Sequence, residues 1–221
     1  MAVVTGAAGG IGRQLCQVLH SLGTIVVALD RNETGLEMLS DSLQTRVVCI
    51  PTQQEDLNSV ADAANTIRSN FNVVDLLINN AGLTYNDETC IPGNDNMKSA
   101  HGHDLAFTVN YLSHFLLVEK LMPCLQQADE GRIVHLTSSY HWKVDGSELV
   151  PTIDGGPVAY ESDPVKMSNR HIARSYANTK LAQIWHSRSI TGCESVCACV
   201  SLRLFISTVL YFFIVSQTTS S

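Results

Sequence analysis

The segment Thr5-Gly6-Ala7-Ala8-Gly9-Gly10-Ile11-Gly12 limits what this chain can fold into more than any other. A β-branched pair, Val3-Val4, runs into it, and a stretch of helical period starts at Ile11, so the glycines fall at a strand-to-helix turn. Each glycine has a physical reason to be there. Gly6 permits the tight turn, Gly10 lets backbone approach a pyrophosphate, and Gly12 allows the helix to pack closely. The backbone of Gly10, Ile11 and Gly12 then opens a helix whose N-terminal N–H groups face negative charge. A dinucleotide suits such a turn; a glycine turn without a ligand is the alternative that the rest of the chain must decide against.

The rest of the chain repeats the strand-then-helix pattern. Short β-branched or apolar runs at 3–4, 24–29, 46–50, 75–78, 132–137 and 195–199 read as buried parallel strands. Segments 11–21, 33–43, 55–69, 102–127 and 172–190 carry apolar residues at helical spacing. This alternation predicts an α/β sheet with helices on both faces. With 221 residues, 45% of them hydrophobic, one core is expected: a domain over 1–199, followed by an atypical apolar tail over 200–221. The long segments 83–100 and 140–170, rich in Gly, Pro, Asn and Asp, read as loops that follow strands.

Composition narrows the partners. A net charge of -7 repels a phosphate backbone, which excludes nucleic acid from the expectation. Seven scattered cysteines make neither a disulfide framework nor paired metal ligands, and they read as reduced packing residues of an intracellular protein, with the cytoplasm favoured. Met1 runs straight into Ala2-Val3-Val4-Thr5-Gly6, so no secretory signal is expected. His101-Gly102-His103 lacks a cysteine or carboxylate cluster at ligand spacing, and no metal is assigned. Trp142 and Trp185 read as packing residues, and Asp104, Glu119 and Lys120 as solvated helix positions.

Two further features carry chemistry. Asp30, at the end of the second predicted strand, can accept both hydroxyls of an adenosine ribose and would repel a 2′-phosphate. No Arg or Lys replaces Ala7 or Ala8, so NAD is favoured, with NADP as the alternative that the adjacent Arg31 leaves open. Tyr176 and Lys180 lie four apart on one predicted helix and therefore share a face. There the ammonium would stabilise the phenolate and lower the tyrosine pKa, making Tyr176 a general acid or base.

The spacing Thr5-Gly6-x-x-x-Gly10-x-Gly12, with Asn79-Asn80-Ala81-Gly82, Phe107-Thr108-Val109-Asn110, Ser138-Ser139 and Tyr176-Ala177-Asn178-Thr179-Lys180, resembles the short-chain dehydrogenase/reductase family over residues 3 to about 199. The resemblance implies a single Rossmann-type, doubly wound parallel sheet of order 3-2-1-4-5-6. It also implies hydride transfer between a nicotinamide and an alcohol or carbonyl. Asn80, Ala81 and Gly82 would lie beside the cofactor, and Lys180 would also hold the nicotinamide ribose. Ser139, the second of the pair and preferred over Ser138, would bind the substrate oxygen, and Asn110 would fix a water relaying protons from Lys180. Val109 to Leu117 and Tyr176 to Leu181 look like the retinol-dehydrogenase-like and WW-domain-oxidoreductase-like branch, which implies a hydrophobic retinoid-, steroid- or lipid-like substrate. Family members often associate through the helices holding Asn110 and Tyr176, which implies a homo-oligomer.

The resemblance fades after Cys199. A Pro-Gly turn, a nicotinamide-touching threonine, a substrate lid and a final strand are expected there, and Val200-Ser201-Leu202-Arg203 stands instead. The apolar tail reads first as a truncated product, then as a membrane anchor or an irregular buried strand. A dinucleotide-binding or interaction protein with impaired catalysis is the alternative function this leaves.

Overall fold

The computed structural model describes residues 1–84, 98–150, 169–190 and 196–201. Six parallel strands form one sheet in the order β3-β2-β1-β4-β5-β6, as expected. They are β1 (Ala2–Thr5), β2 (Val26–Asp30), β3 (Val47–Pro51), β4 (Leu76–Asn79), β5 (Gly131–Leu136) and β6 (Val196–Ser201). The register places Val3 beside Val27 and Leu77, and Ile133 beside Leu77 and Ala198.

Strand alternation divides the core in two. Val3, Val27, Leu29, Leu77 and Ile133 face one side, where they pack with α3 (Leu57–Asn70), α5 (Ser113–Leu125) and Ile190 of α6 (Asn169–Ile190). Ala2, Val4, Val26, Ala28 and Ile78 face the other, under α1 (Gly10–Ser21) and α2 (Glu33–Leu43). A sheet buried on both faces needs strands apolar at successive positions, which is why β1 and most of β2 are buried without interruption.

Several boundaries differ from expectation for local reasons. β3 starts at Val47 because Gln44 and Arg46 adopt left-handed backbone (φ 61° and 55°), which no strand tolerates. α3 starts at Leu57 because the Asp56 side chain accepts the Asn58 N–H and caps the helix. The long helix expected over 102–127 is three pieces: a short α4 (Leu105–Phe107), a π-helical turn (Thr108–Leu112) and α5. Asp104, expected to be a solvated helix position, caps α4 by accepting the Phe107 N–H at 2.7 Å. Two 3₁₀ turns, Ser139–Lys143 and Ser147–Leu149, occupy part of the segment read as irregular. β6 continues to Ser201, two residues past the expected domain limit, and the rest of the tail lies outside the described residues. Among the described residues no helix is long and apolar enough to cross a membrane.

Candidate active site

A cavity of about 480 Å³ opens at the carboxyl ends of β1, β2 and β4, lined in part by Gly6, Gly10, Ile11, Asp30, Gly82 and Gln54. Its floor is the glycine turn. Gly6 takes φ +65°, a value that favours glycine, and its carbonyl accepts the Gly9 N–H. A Cβ at Gly12 would lie 2.0 Å from the Gly6 carbonyl oxygen, so only glycine lets α1 approach the strand here. A Cβ at Gly10 would meet only open space. The backbone bond that links the turn to α1 runs from Arg13 N–H to Gly9 O, and Gly9 supplies no side-chain cap. The N–H groups of Gly10, Ile11 and Gly12 therefore have no partner within the helix.

Asn80 braces this turn rather than pointing away from it. Its Nδ2 donates to Thr5 O at 2.8 Å and reaches Gly6 O at 3.3 Å. The backbone N–H groups of Asn80 and Ala81 both donate to Thr5 Oγ1 at 2.9 Å. On the far side, Asp30 accepts the N–H groups of Ala8 and Asn32 at 2.9 Å each, one per carboxylate oxygen. Each oxygen keeps a lone pair. Arg31 leans toward Glu55 at 3.3 Å, with its own side chain 70% exposed.

Gln54 was not singled out from the sequence. It is buried, lines the cavity, and neither its Oε1 nor its Nε2 has a partner. A buried amide without partners is costly unless something fills the space beside it. Its position three residues past β3 was the available signal.

The second half of the site surrounds Asn110, in the π-helical turn. Its side chain clasps the backbone of Leu83, accepting the N–H at 2.8 Å and donating to the carbonyl at 2.9 Å, and also donates to Thr179 Oγ1 at 3.1 Å. Its own carbonyl accepts from His114 Nδ1 at 3.0 Å and from Gln183 Nε2 at 2.8 Å. A carbonyl offers two lone pairs, so His114 and Gln183 take up both acceptor positions of the Asn110 carbonyl. Lys180 is buried; its Nζ donates to Leu136 O at 2.9 Å and to Gln183 Oε1 at 3.1 Å. Burial lowers its pKa to about 8. A Cβ at Gly82 would come within 3.7 Å of that nitrogen, so the ammonium lies close to a residue that lines the cavity.

Tyr176 departs from two expectations. Its pKa is raised above the ordinary tyrosine value, first by burial, against a lowering hydrogen bond with Ser138. The ammonium of Lys180 lies 5.5 Å from the Tyr176 ring centroid and is turned to Leu136 and Gln183, so it does not deliver the expected lowering. The hydroxyl paired with Tyr176 belongs to Ser138, not Ser139. Ser138 is the N-cap of the 3₁₀ turn and half-buried, whereas Ser139 is the exposed first residue of that turn. Tyr140 stacks edge-on against Tyr176 with ring centroids 5.7 Å apart. Trp142 is 80% exposed, while the Trp185 ring covers Gly146, where a Cβ would lie 2.2 Å away.

The residues present fit a dinucleotide. Unpaired helix N–H groups suit its pyrophosphate, the free lone pairs of Asp30 suit a ribose diol, and the unpartnered Gln54 amide suits the edge of a base. Tyr176, Ser138 and Lys180 bring a proton-carrying phenol, a hydroxyl and a cation together beyond Gly82, where the nicotinamide end of such a molecule would reach.

Residues 1–146 match the short chain dehydrogenase family. The chain is 32% identical over 147 residues to dehydrogenase/reductase SDR family member 7B of Bos taurus, covering 62% of this chain and 43% of that one. It is 31% identical over 138 residues to 3-oxoacyl-(acyl-carrier-protein) reductase FabG of Escherichia coli K12, covering 62% of this chain and 54% of the relative. The chain thus spans about half the length of these relatives. The fold is that of an alcohol dehydrogenase from the archaeon Thermococcus sibiricus, solved in complex with 5-hydroxy-NADP. That match has a TM-score of 0.66 at 20% identity and covers 90% of this chain and 73% of that one.

Proposed function

We propose, on the premise that this chain belongs to the short chain dehydrogenase family of NAD(P)-binding oxidoreductases, that it interconverts an alcohol and a carbonyl with NAD(H) as the preferred partner. The observation that carries this reading is that the cavity over the glycine cradle is lined by Gly82, where a Cβ would lie 3.7 Å from Lys180 Nζ, and that Tyr176 and Ser138 group beside that lysine. When bound, the nicotinamide supplies or accepts the hydride. Gly10, Ile11 and Gly12 hold the pyrophosphate at the α1 N-terminus, Asp30 accepts the adenosine ribose hydroxyls, and Gln54 hydrogen-bonds the adenine edge. Asn80, Ala81 and Gly82 shape the wall beside the cofactor.

Tyr176 gives its phenolic proton to the carbonyl oxygen in reduction and takes it back in oxidation. Ser138 orients that oxygen; Ser139 is the residue the resemblance alone would choose. Lys180 holds the nicotinamide ribose hydroxyls, and Asn110 ties the π-helical turn to the segment after β4 through Leu83. The substrate is a hydrophobic alcohol or carbonyl, in keeping with the retinol-dehydrogenase-like motifs, whereas the FabG relative is named for an oxoacyl thioester carrier. The free thiols of Cys16, Cys49 and Cys124 suit a reducing intracellular compartment. A homo-oligomer built through α5 and α6 goes with this reading.

The Lys180 contacts with Leu136 and Gln183 favour one second reading, a dinucleotide-binding protein without turnover. Titration with NADH and NADPH, followed by a panel of alcohols and carbonyls, separates the two. The enzyme reading expects NADH to bind at least about tenfold tighter, a difference of roughly 1.4 kcal/mol, and turnover on some panel member. Binding with no turnover on any substrate favours the second reading.

A further inference from the structure

Gln183 on α6 has no role in the function proposed above, and it is fully buried. Both ends of its amide are used. Nε2 donates to the Asn110 carbonyl at 2.8 Å, and Oε1 accepts from Lys180 Nζ at 3.1 Å. The chain of contacts continues inward. Asn110 O also accepts from His114 Nδ1, which fixes that ring with its proton on Nδ1 and leaves Nε2 to accept the Thr5 hydroxyl at 3.0 Å. Thr5 Oγ1 in turn accepts the Asn80 and Ala81 N–H groups beside the glycine turn. The cradle and the lysine are thus joined through side chains, with Gln183 as the last link.

The structure assigns Gln183 as a positioning residue: its amide clamps the Lys180 ammonium to the Asn110 carbonyl. An amide accepts a hydrogen bond from the ammonium but does not pass a proton on as water does. Protons lost by Lys180 therefore do not pass through Gln183 to Asn110. This assignment rests on the oxidoreductase reading for its functional meaning, but the clamp itself does not.

Three titratable groups lie around Lys180, His114 on α5, His135 on β5 and Tyr176 on α6, with His186 of α6 behind the two imidazoles. The imidazoles are held neutral by burial, so Gln183 is the polar neighbour whose replacement changes the ammonium most directly.

The test follows the Lys180 side chain by NMR in the full-length chain labelled at lysine Cε, with its signal identified by its loss in Lys180→Arg. In Gln183→Glu a carboxylate faces the ammonium, and the titration midpoint rises by about one pH unit or more. In Gln183→Met the acceptor is gone, and the midpoint falls. Midpoints within about 0.3 unit of the parent in Gln183→Glu overturn the clamp, and that near-isosteric variant decides the matter alone if Gln183→Met fails to fold. A residue that merely fills space lowers the melting temperature in both variants without opposite shifts. The pH dependence of turnover moves in the same directions as the midpoints. Shifted midpoints in a protein with no turnover support the clamp and sink the oxidoreductase reading; turnover with fixed midpoints does the reverse.

Discussion

The cradle at the ends of β1, β2 and β4 and the side-chain cluster around α6 adjoin at Gly82 but are built differently. The cradle is made of backbone: glycine conformations, free helix N–H groups and the Thr5 and Asn80 hydrogen bonds that lock them. The cluster is made of side chains from α6, the π-helical turn and β5, and it buries groups that remain unpaired, among them His135 Nε2 and both ring nitrogens of His186. A site made of backbone tolerates no Cβ in the wrong place but is indifferent to pH. A site made of buried side chains tolerates substitution in shape but is sensitive to protonation.

The largest effect expected on that contrast comes from Gly12→Val. Its Cβ would overlap the Gly6 carbonyl at 2.0 Å, which forces α1 off the strand and costs about 3 kcal/mol or more, with loss of NADH binding. A melting curve and a fluorescence titration read both, and a variant that binds NADH normally breaks the account of the cradle. Next, on the side-chain half, Ser138→Ala lowers kcat/KM about a hundredfold and Ser139→Ala less than about threefold. The reverse order restores the choice made from the family pattern.

The serine choice shows what the sequence could carry. Strand order, the two-faced core and the turn glycines were legible because backbone geometry depends on local residue type and on period. Ser138 against Ser139 was not, because the 3₁₀ turn that points one hydroxyl at Tyr176 and the other at solvent depends on how residues 139–143 sit against α6. The direction of Lys180 was hidden for the same reason: two acceptors from β5 and its own helix compete with the phenol. Gln183 was within reach, since it follows Lys180 by three positions on one helix face, but glutamine belongs to no catalytic pattern. The π-helical turn at Asn110 leaves no mark in apolar spacing.

A pH titration sharpens the contrast further. Burial holds His114 down to about 3 and His186 to about 4, and keeps His135 well below the ordinary value of 6.5. These imidazoles stay neutral in the folded chain, while the unfolded chain takes up protons below about pH 6.5. Stability is therefore full above pH 6.5 and falls as the pH drops toward 4, by up to about 1.4 kcal/mol per pH unit for each histidine. Urea midpoints at pH 7.5, 6 and 5 measure this; a flat response removes the buried neutral histidines from the account.

The smallest effect belongs to the rim of the cradle. Glu55→Gln releases Arg31 from an exposed ion pair at a cost below about 1 kcal/mol in stability, and the freed guanidinium improves NADPH binding relative to NADH. No change in the NADPH to NADH ratio means that Asp30 alone sets the preference.

The most direct test of one site with two differently built halves is deuterium transfer from 4-deuterated NADH to a carbonyl substrate found in the panel. The account predicts deuterium on the carbinol carbon with the parent protein and at least about a thousandfold less with Tyr176→Phe, while both proteins bind NADH alike. Equal deuterium incorporation by Tyr176→Phe, or none by a parent protein that binds NADH, would contradict it.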